Sequence, residues 1–191
     1  MILNKFFKIN TGYTLIELIV SISIIVILTA LLLPNYHAGG RQNSLVGAIQ
    51  QLSGNLRLVQ NYAIGAKKNN NNQIPLGGWG IYLSASSSNY ILYSDNNGDH
   101  NYTIGEMYRQ VNLPSGMIFD DAGFFGKNSA GIDFSSGNLY ISFEAPDPVT
   151  HINSTDPSLV DGNSVNIVIK DTKANRTKTI SVNFFGLIDV N

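Results

Sequence analysis

Cysteine is absent from all 191 residues, so no disulfide can brace this chain. A domain exported from the reducing cytoplasm without disulfides must hold together by its own core, or by a metal. Histidine is scarce: His37, His100 and His151 lie far apart in sequence and make no H-E-x-x-H pair. No G-x-S-x-G or phosphate-loop pattern occurs. These absences leave enzymatic chemistry without a visible centre. The adjacent acids Asp120 and Asp121 read as a polar turn, and the N-x-S/T triplets at Asn101, Asn153 and Asn175 are expected by chance in an Asn-rich chain. Charge is sparse and balanced, 13% of residues with a net of −1. Overall charge therefore gives no reason to expect nucleic-acid binding. No internal repeat is present, and the length suits one domain plus an anchor.

What the chain does have is one long apolar run. From Tyr13 to Leu33 the only charged residue is Glu17. The run is rich in Leu, Ile and Val and long enough to cross a bilayer. A carboxylate inside it costs ~2.5–3.5 kcal/mol on insertion scales, so Glu17 calls for a functional reason. Lys5 and Lys8 precede the run with no acid beside them, which places the N-terminus in the cytoplasm and exports the rest. A cleaved secretory signal fits poorly. Its apolar core would be shorter, and Leu31-Leu32-Leu33-Pro34 is a poor small-residue cleavage site.

The residues Gly12-Tyr13-Thr14-Leu15-Ile16-Glu17-Leu18 resemble the prepilin processing motif of type IV pilins and type II secretion pseudopilins. The resemblance implies that a membrane peptidase cuts between Gly12 and Tyr13 and methylates the new N-terminus. Tyrosine after the cut departs from the family's usual phenylalanine but keeps an aromatic ring. Pro34 matches the proline that the family places after about two dozen mature residues. In the assembled filament, Glu17 is then expected to face the Tyr13 amine of a neighbouring subunit. Opposite charges attract far more strongly among apolar helices than in water, and an unpaired Glu17 would be penalised, so the pair sets the axial register. Removal of the leader leaves ten basic side chains against thirteen acidic, a net of −3.

Beyond Pro34, Leu45, Ile49, Leu52, Leu56, Val59 and Ala63 recur at spacings of four and three, one face of an amphipathic helix. The helix is expected to resume after Pro34 and run to about Ala66, kinked at Pro34 and weakened at Gly39-Gly40. Residues 67–78 read as a linker. The period then changes to two. Trp79–Leu83, Tyr90–Tyr93, Met107–Leu113, Gly116–Phe119, Gly131–Phe134 and Leu139–Phe143 read as strands, and "FSSGNLYISF" as a tight hairpin turning near Gly137-Asn138. Residues 144–163 read as a long surface loop. Val165–Ile169 and Thr179–Phe184 read as a last hairpin. The fold class is thus α+β and pilin-like: one long N-terminal helix, transmembrane in its first half and amphipathic in its second, packed on an antiparallel β-sheet domain. The segments are a leader over 1–12, a transmembrane and filament-core helix over 13–34, an amphipathic half over 35–66 and an exported β-rich domain over 67–191.

The order of elements, with "GWGIYLS", "YSDNNGDHNYTIGE", "VNLPSGM" and "ISVNFFGLIDV", also resembles the H-type minor pseudopilins of type II secretion and their fimbrial minor-pilin relatives. That resemblance implies a structural subunit of a secretion pseudopilus or type IV pilus. Its partners would be sibling pilins, the prepilin peptidase and an inner-membrane assembly platform. It would be a single-pass protein of the cytoplasmic membrane that is later drawn into an extracytoplasmic fibre.

Two segments carry other chemistry. Asp95, Asn97, Asp99, Asn101, Thr103 and Glu106 fall at positions 1, 3, 5, 7, 9 and 12 of an EF-hand-like loop, with His100 where glycine is usual. Calcium is the one cofactor this spacing allows, and none is required; the alternative is a solvated acidic turn. Lys170, Lys173, Arg176 and Lys178 cluster on one hairpin opposed only by Asp171, as a DNA-binding minor pilin would need. After Gly186, however, the chain reads Leu-Ile-Asp-Val, where such a binder would carry arginine. An adhesive subunit is the other alternative.

Overall fold

In the computed structural model the described residues are 12–127, 133–145, 149–155 and 162–190. The chain divides into two compact units, Met1–Gly40 and Arg41–Asn191. One helix, α1, is continuous from Leu15 to Ile64, so Pro34 does not end it.

In the first unit the start of α1 is closed by a reciprocal pair. The Glu17 N–H donates to Thr14 Oγ1 and the Thr14 N–H donates to Glu17 Oε2, both at 3.3 Å. This is a capping box, two otherwise orphaned donors satisfied by side chains. Ser21, Ser23 and Thr29 donate their hydroxyls to the carbonyls of Glu17, Ile19 and Ile25 at 2.7–2.8 Å. These three hydroxyls of the apolar run are thus satisfied within the helix and need no water.

In the second unit α1 buries Leu45, Ala48, Ile49, Leu52, Leu56, Val59 and Ala63, the stripe read from the sequence with Ala48 added. Burying a Leu or Ile side chain contributes about 1.5–3 kcal/mol, so this face holds the helix to the sheets. The helix ends at a left-handed Ala66 (φ 45°), with the Lys67 N–H reaching back to the Tyr62 carbonyl at 2.9 Å, a Schellman closure.

Two antiparallel sheets follow rather than one. The first has the order β3-β2-β1-β7-β8, from β1 (Trp79–Ser84), β2 (Asn89–Ser94), β3 (Met107–Asn112), β7 (Asn138–Glu144) and β8 (Val149–Ser154). The second runs β11-β10-β9-β5-β6, from β5 (Phe124–Lys127), β6 (Asp133–Ser136), β9 (Ser164–Asp171), β10 (Arg176–Asn183) and β11 (Ile188–Val190). The short β4 (Met117–Phe119) also pairs with β9. Inward residues of both sheets form one core with α1, including Trp79, Ile81, Leu92, Ile141 and Phe143 from the first and Phe119, Ile167, Ile169, Ile180 and Val182 from the second. Asn55 of α1 joins it as a polar pin, donating to Tyr90 Oη at 2.6 Å and accepting from Arg109 at 3.1 Å.

Three readings change. The expected hairpin at Gly137-Asn138 is instead a crossing between sheets: β6 pairs with β5, whereas β7 pairs with β1 and β8. Leu139, Ile141 and Phe143 are buried in register with Leu83, Ile81 and Trp79, so a partner distant in sequence takes β7. The expected loop over 144–163 contains β8, whose Thr150 and Ile152 are buried; residues 146–148 and 156–161 of that stretch lie outside those described. The strand β5 was not read from the sequence, and Gly131 and Ile132 of the expected Gly131–Phe134 strand lie outside the described residues.

Candidate functional site

The first candidate is the N-terminal end of α1. Gly12 and Tyr13 precede the capping residue Thr14, and Tyr13 is 83% exposed. Gly12 has no described residue's atom within 4 Å of where a side chain would begin. Glu17 stands in the first turn, its carboxylate held by the Thr14 N–H and hydroxyl. From Leu15 to Leu32 the helix is apolar enough to cross a membrane, with mean hydropathy 2.8 and no residue of that span buried. Pro34 lies within the helix backbone.

Residues 8–33 carry the prokaryotic N-terminal methylation motif. This match is to a type IV pilin-like family model and ends at the foot of the apolar span. The motif goes with assembly among pilins and with a prepilin peptidase, and its family is structural rather than enzymatic. An N-terminal apolar helix within the motif fits membrane anchoring of a pilin-like protein. No curated protein and no solved structure matches the chain. Downstream of the motif, the layout is nevertheless pilin-like: an α-helix packed on antiparallel sheets.

The second candidate is the loop from Asp95 to Glu106, between β2 and β3. Asp95 and Glu106 are buried, while Asn97, Asp99 and Thr103 are exposed and Asn101 is half-buried. The carboxylates are occupied by the loop's own backbone. Asp95 accepts from the Gly98 and His100 N–H groups at 2.7 and 2.8 Å. Glu106 accepts from Asn96 and Thr103 at 2.8 and 2.9 Å. Asp99 accepts from the Asn101 N–H at 2.8 Å. Burial, reinforced by the nearby charges of Glu106 and Asp99, pushes the Asp95 carboxyl above its ordinary range against the pull of its two N–H donors. His100 occupies the expected left-handed position, φ 57°, and Gly98 is left-handed too.

The loop folds onto the outer face of the first sheet. Tyr102 stacks on Tyr82, which stacks on Tyr140, with centroids 5.3 and 5.1 Å apart. Tyr93 lies across Gly80, where a Cβ would stand 2.6 Å from its ring, and donates to the His100 carbonyl at 3.3 Å. His100 is thereby brought to the end of the sheet where β7 finishes and β8 begins. Its ring stacks on His151 of β8, centroids 3.7 Å apart, with Glu144 of β7 beside both. Sequence reasoning missed this meeting, because no motif spacing relates residues on three separate segments.

The basic hairpin between β9 and β10 is partly engaged. Lys170 pairs with Asp121 at 3.7 Å, and Arg176 donates to Gln42 of α1 at 3.0 Å. Asp171, buried, pairs with Arg41 at 3.1 Å. The Lys173 N–H foremost, then the Ala174 N–H and the Arg41 and Arg176 guanidinium groups, outweigh burial and hold its carboxyl below its ordinary range. The hairpin therefore docks on the helix.

Proposed function

We propose that this chain is a minor pilin or pseudopilin of the H-type branch, a structural subunit of a type II secretion pseudopilus or type IV pilus that serves protein secretion by fibre assembly. The observation that carries this reading is the apolar stretch of α1 from Leu15 to Leu32, which lies within the methylation motif, has Glu17 as its one charge and has no residue buried. Such a surface needs lipid or other apolar helices around it. In this reading the precursor sits in the cytoplasmic membrane with residues 1–12 as a cytoplasmic leader. Cleavage after Gly12 frees a methylated Tyr13. Residues 13–34 then pack among sibling pilins, the Glu17 carboxylate faces a neighbour's Tyr13 amine, and residues 35–66 carry the exported domain over 67–191. Pro34 marks the passage from membrane to exported half. The subunit catalyses nothing, and its role requires no cofactor.

Co-expression with a prepilin peptidase tests this. Intact-mass analysis is expected to show loss of residues 1–12 and gain of one methyl group, and Gly12→Val is expected to block both. A cut after residue 33 by a signal peptidase would overturn the reading.

A further inference from the structure

We propose that His100, Glu144 and His151 form a binding site for a divalent transition metal of the zinc class. Among the described residues these three side chains bring one ligand atom each within 4.8 Å of one another. Glu144 Oε2 is 3.9 Å from His100 Nε2 and 3.5 Å from His151 Nε2. Ligands on a tetrahedral zinc, with bonds of about 2.0–2.1 Å, stand roughly 3.3 Å apart, so the two carboxylate–imidazole pairs need to close by only about half an ångström. The rings lie nearly parallel, at 9°, which sets their lone pairs side by side. Tilting one ring about its terminal torsion, a broad and soft one for histidine, makes them converge.

The far side of His100 supports the assignment. Its Nδ1 is buried, has no hydrogen-bond partner among the described residues, and faces Asp95 Oδ2 at 3.6 Å. A carboxylate behind a histidine whose other nitrogen faces a shared ligand site is the arrangement that orients metal-bound imidazoles. Asp95 also takes the His100 N–H, so one buried carboxylate positions both backbone and ring. Two imidazoles and one carboxylate favour zinc, nickel or copper over calcium or magnesium, which want oxygen alone. Glu144 is 40% exposed, so solvent reaches the site and water can complete the coordination. A bound ion would tie the β2–β3 loop to the end of β7 and to edge strand β8, a staple for a domain without cysteine.

The test is titration of zinc chloride into the metal-free full-length protein in detergent micelles. Calorimetry is expected to give one ion per chain with a micromolar or tighter Kd, and cobalt(II) to develop visible d–d absorption at the same stoichiometry. His151→Gln, and His100→Asn, which tolerates the left-handed backbone, are each expected to weaken zinc by about 30-fold or more with unchanged circular dichroism. His37→Ala is expected to leave binding unaltered. Absence of binding up to about 100 µM zinc in the unaltered protein would overturn the proposal. So would binding that survives the His100→Asn/His151→Gln double substitution.

Discussion

At the scale of single residues, Glu17 has two separable tasks. Its carboxylate closes the capping box with Thr14, and its charge is proposed to meet a neighbour's amine. Glutamine at this position can still close a capping box, whereas Thr14→Ala removes the cap and keeps the charge. Loss of a cap costs about 1 kcal/mol, little for a helix otherwise held by a membrane or a bundle. Fibre incorporation, followed by cross-linking to sibling pilins, is therefore expected to fall in Glu17→Gln and to persist in Thr14→Ala. Equal loss in both would assign Glu17 to helix capping and remove the register argument. The T-x-x-E spacing of Thr14 and Glu17 is itself a local signature of this cap.

At the scale of elements, the loop from Asp95 to Glu106 is the informative piece. The EF-hand-like spacing singles out Asp95 and Glu106 as possible calcium ligands at the two ends of the loop. In the fold both carboxylates accept backbone N–H groups of the loop itself. The metal-free protein is accordingly expected to melt at the same temperature with and without added millimolar calcium. A rise with calcium that Asp95→Ala/Glu106→Ala removes would instead place the ion in this loop; saturation at a hundredfold excess over Kd would add about 2.7 kcal/mol. The loop's other contribution is positional. By packing Tyr102 on Tyr82 and setting Tyr93 over Gly80, it carries His100 across the sheet to β8.

At the scale of the whole molecule, the distribution of charge bears on the DNA-uptake alternative. Residues 13–191 have a net charge of −3, and two of the four cations of the terminal hairpin are engaged by Asp121 and Gln42. Were all four to neutralise phosphates, the salt slope would be about −3.6, from roughly −0.9 per contact. Fluorescence anisotropy is expected to show no duplex binding at about 150 mM salt. Micromolar or tighter binding that Lys173→Glu/Arg176→Glu abolishes would promote the DNA-binding reading over secretion.

The sequence by itself determined what depends on neighbours along the chain. The apolar run and its motif, the stripe from Leu45 to Ala63, the strands beginning at Trp79 and Tyr90, and the hairpin from Val165 to Phe184 were all legible, because helix and strand periodicity are local. Tertiary structure decided what depends on partners. A strand followed by Gly-Asn and another strand reads alike whether it turns back or changes sheets. Only the burial of Leu139, Ile141 and Phe143 beside β1 sends β7 away from β6. The stretch around His151 has too few apolar residues to announce a strand, yet pairing with β7 orders it as an edge. The same pairing sets His151 beside Glu144 and under His100. No spacing encodes that cluster, because its three members reach one point only after two strands and a folded loop have closed around them.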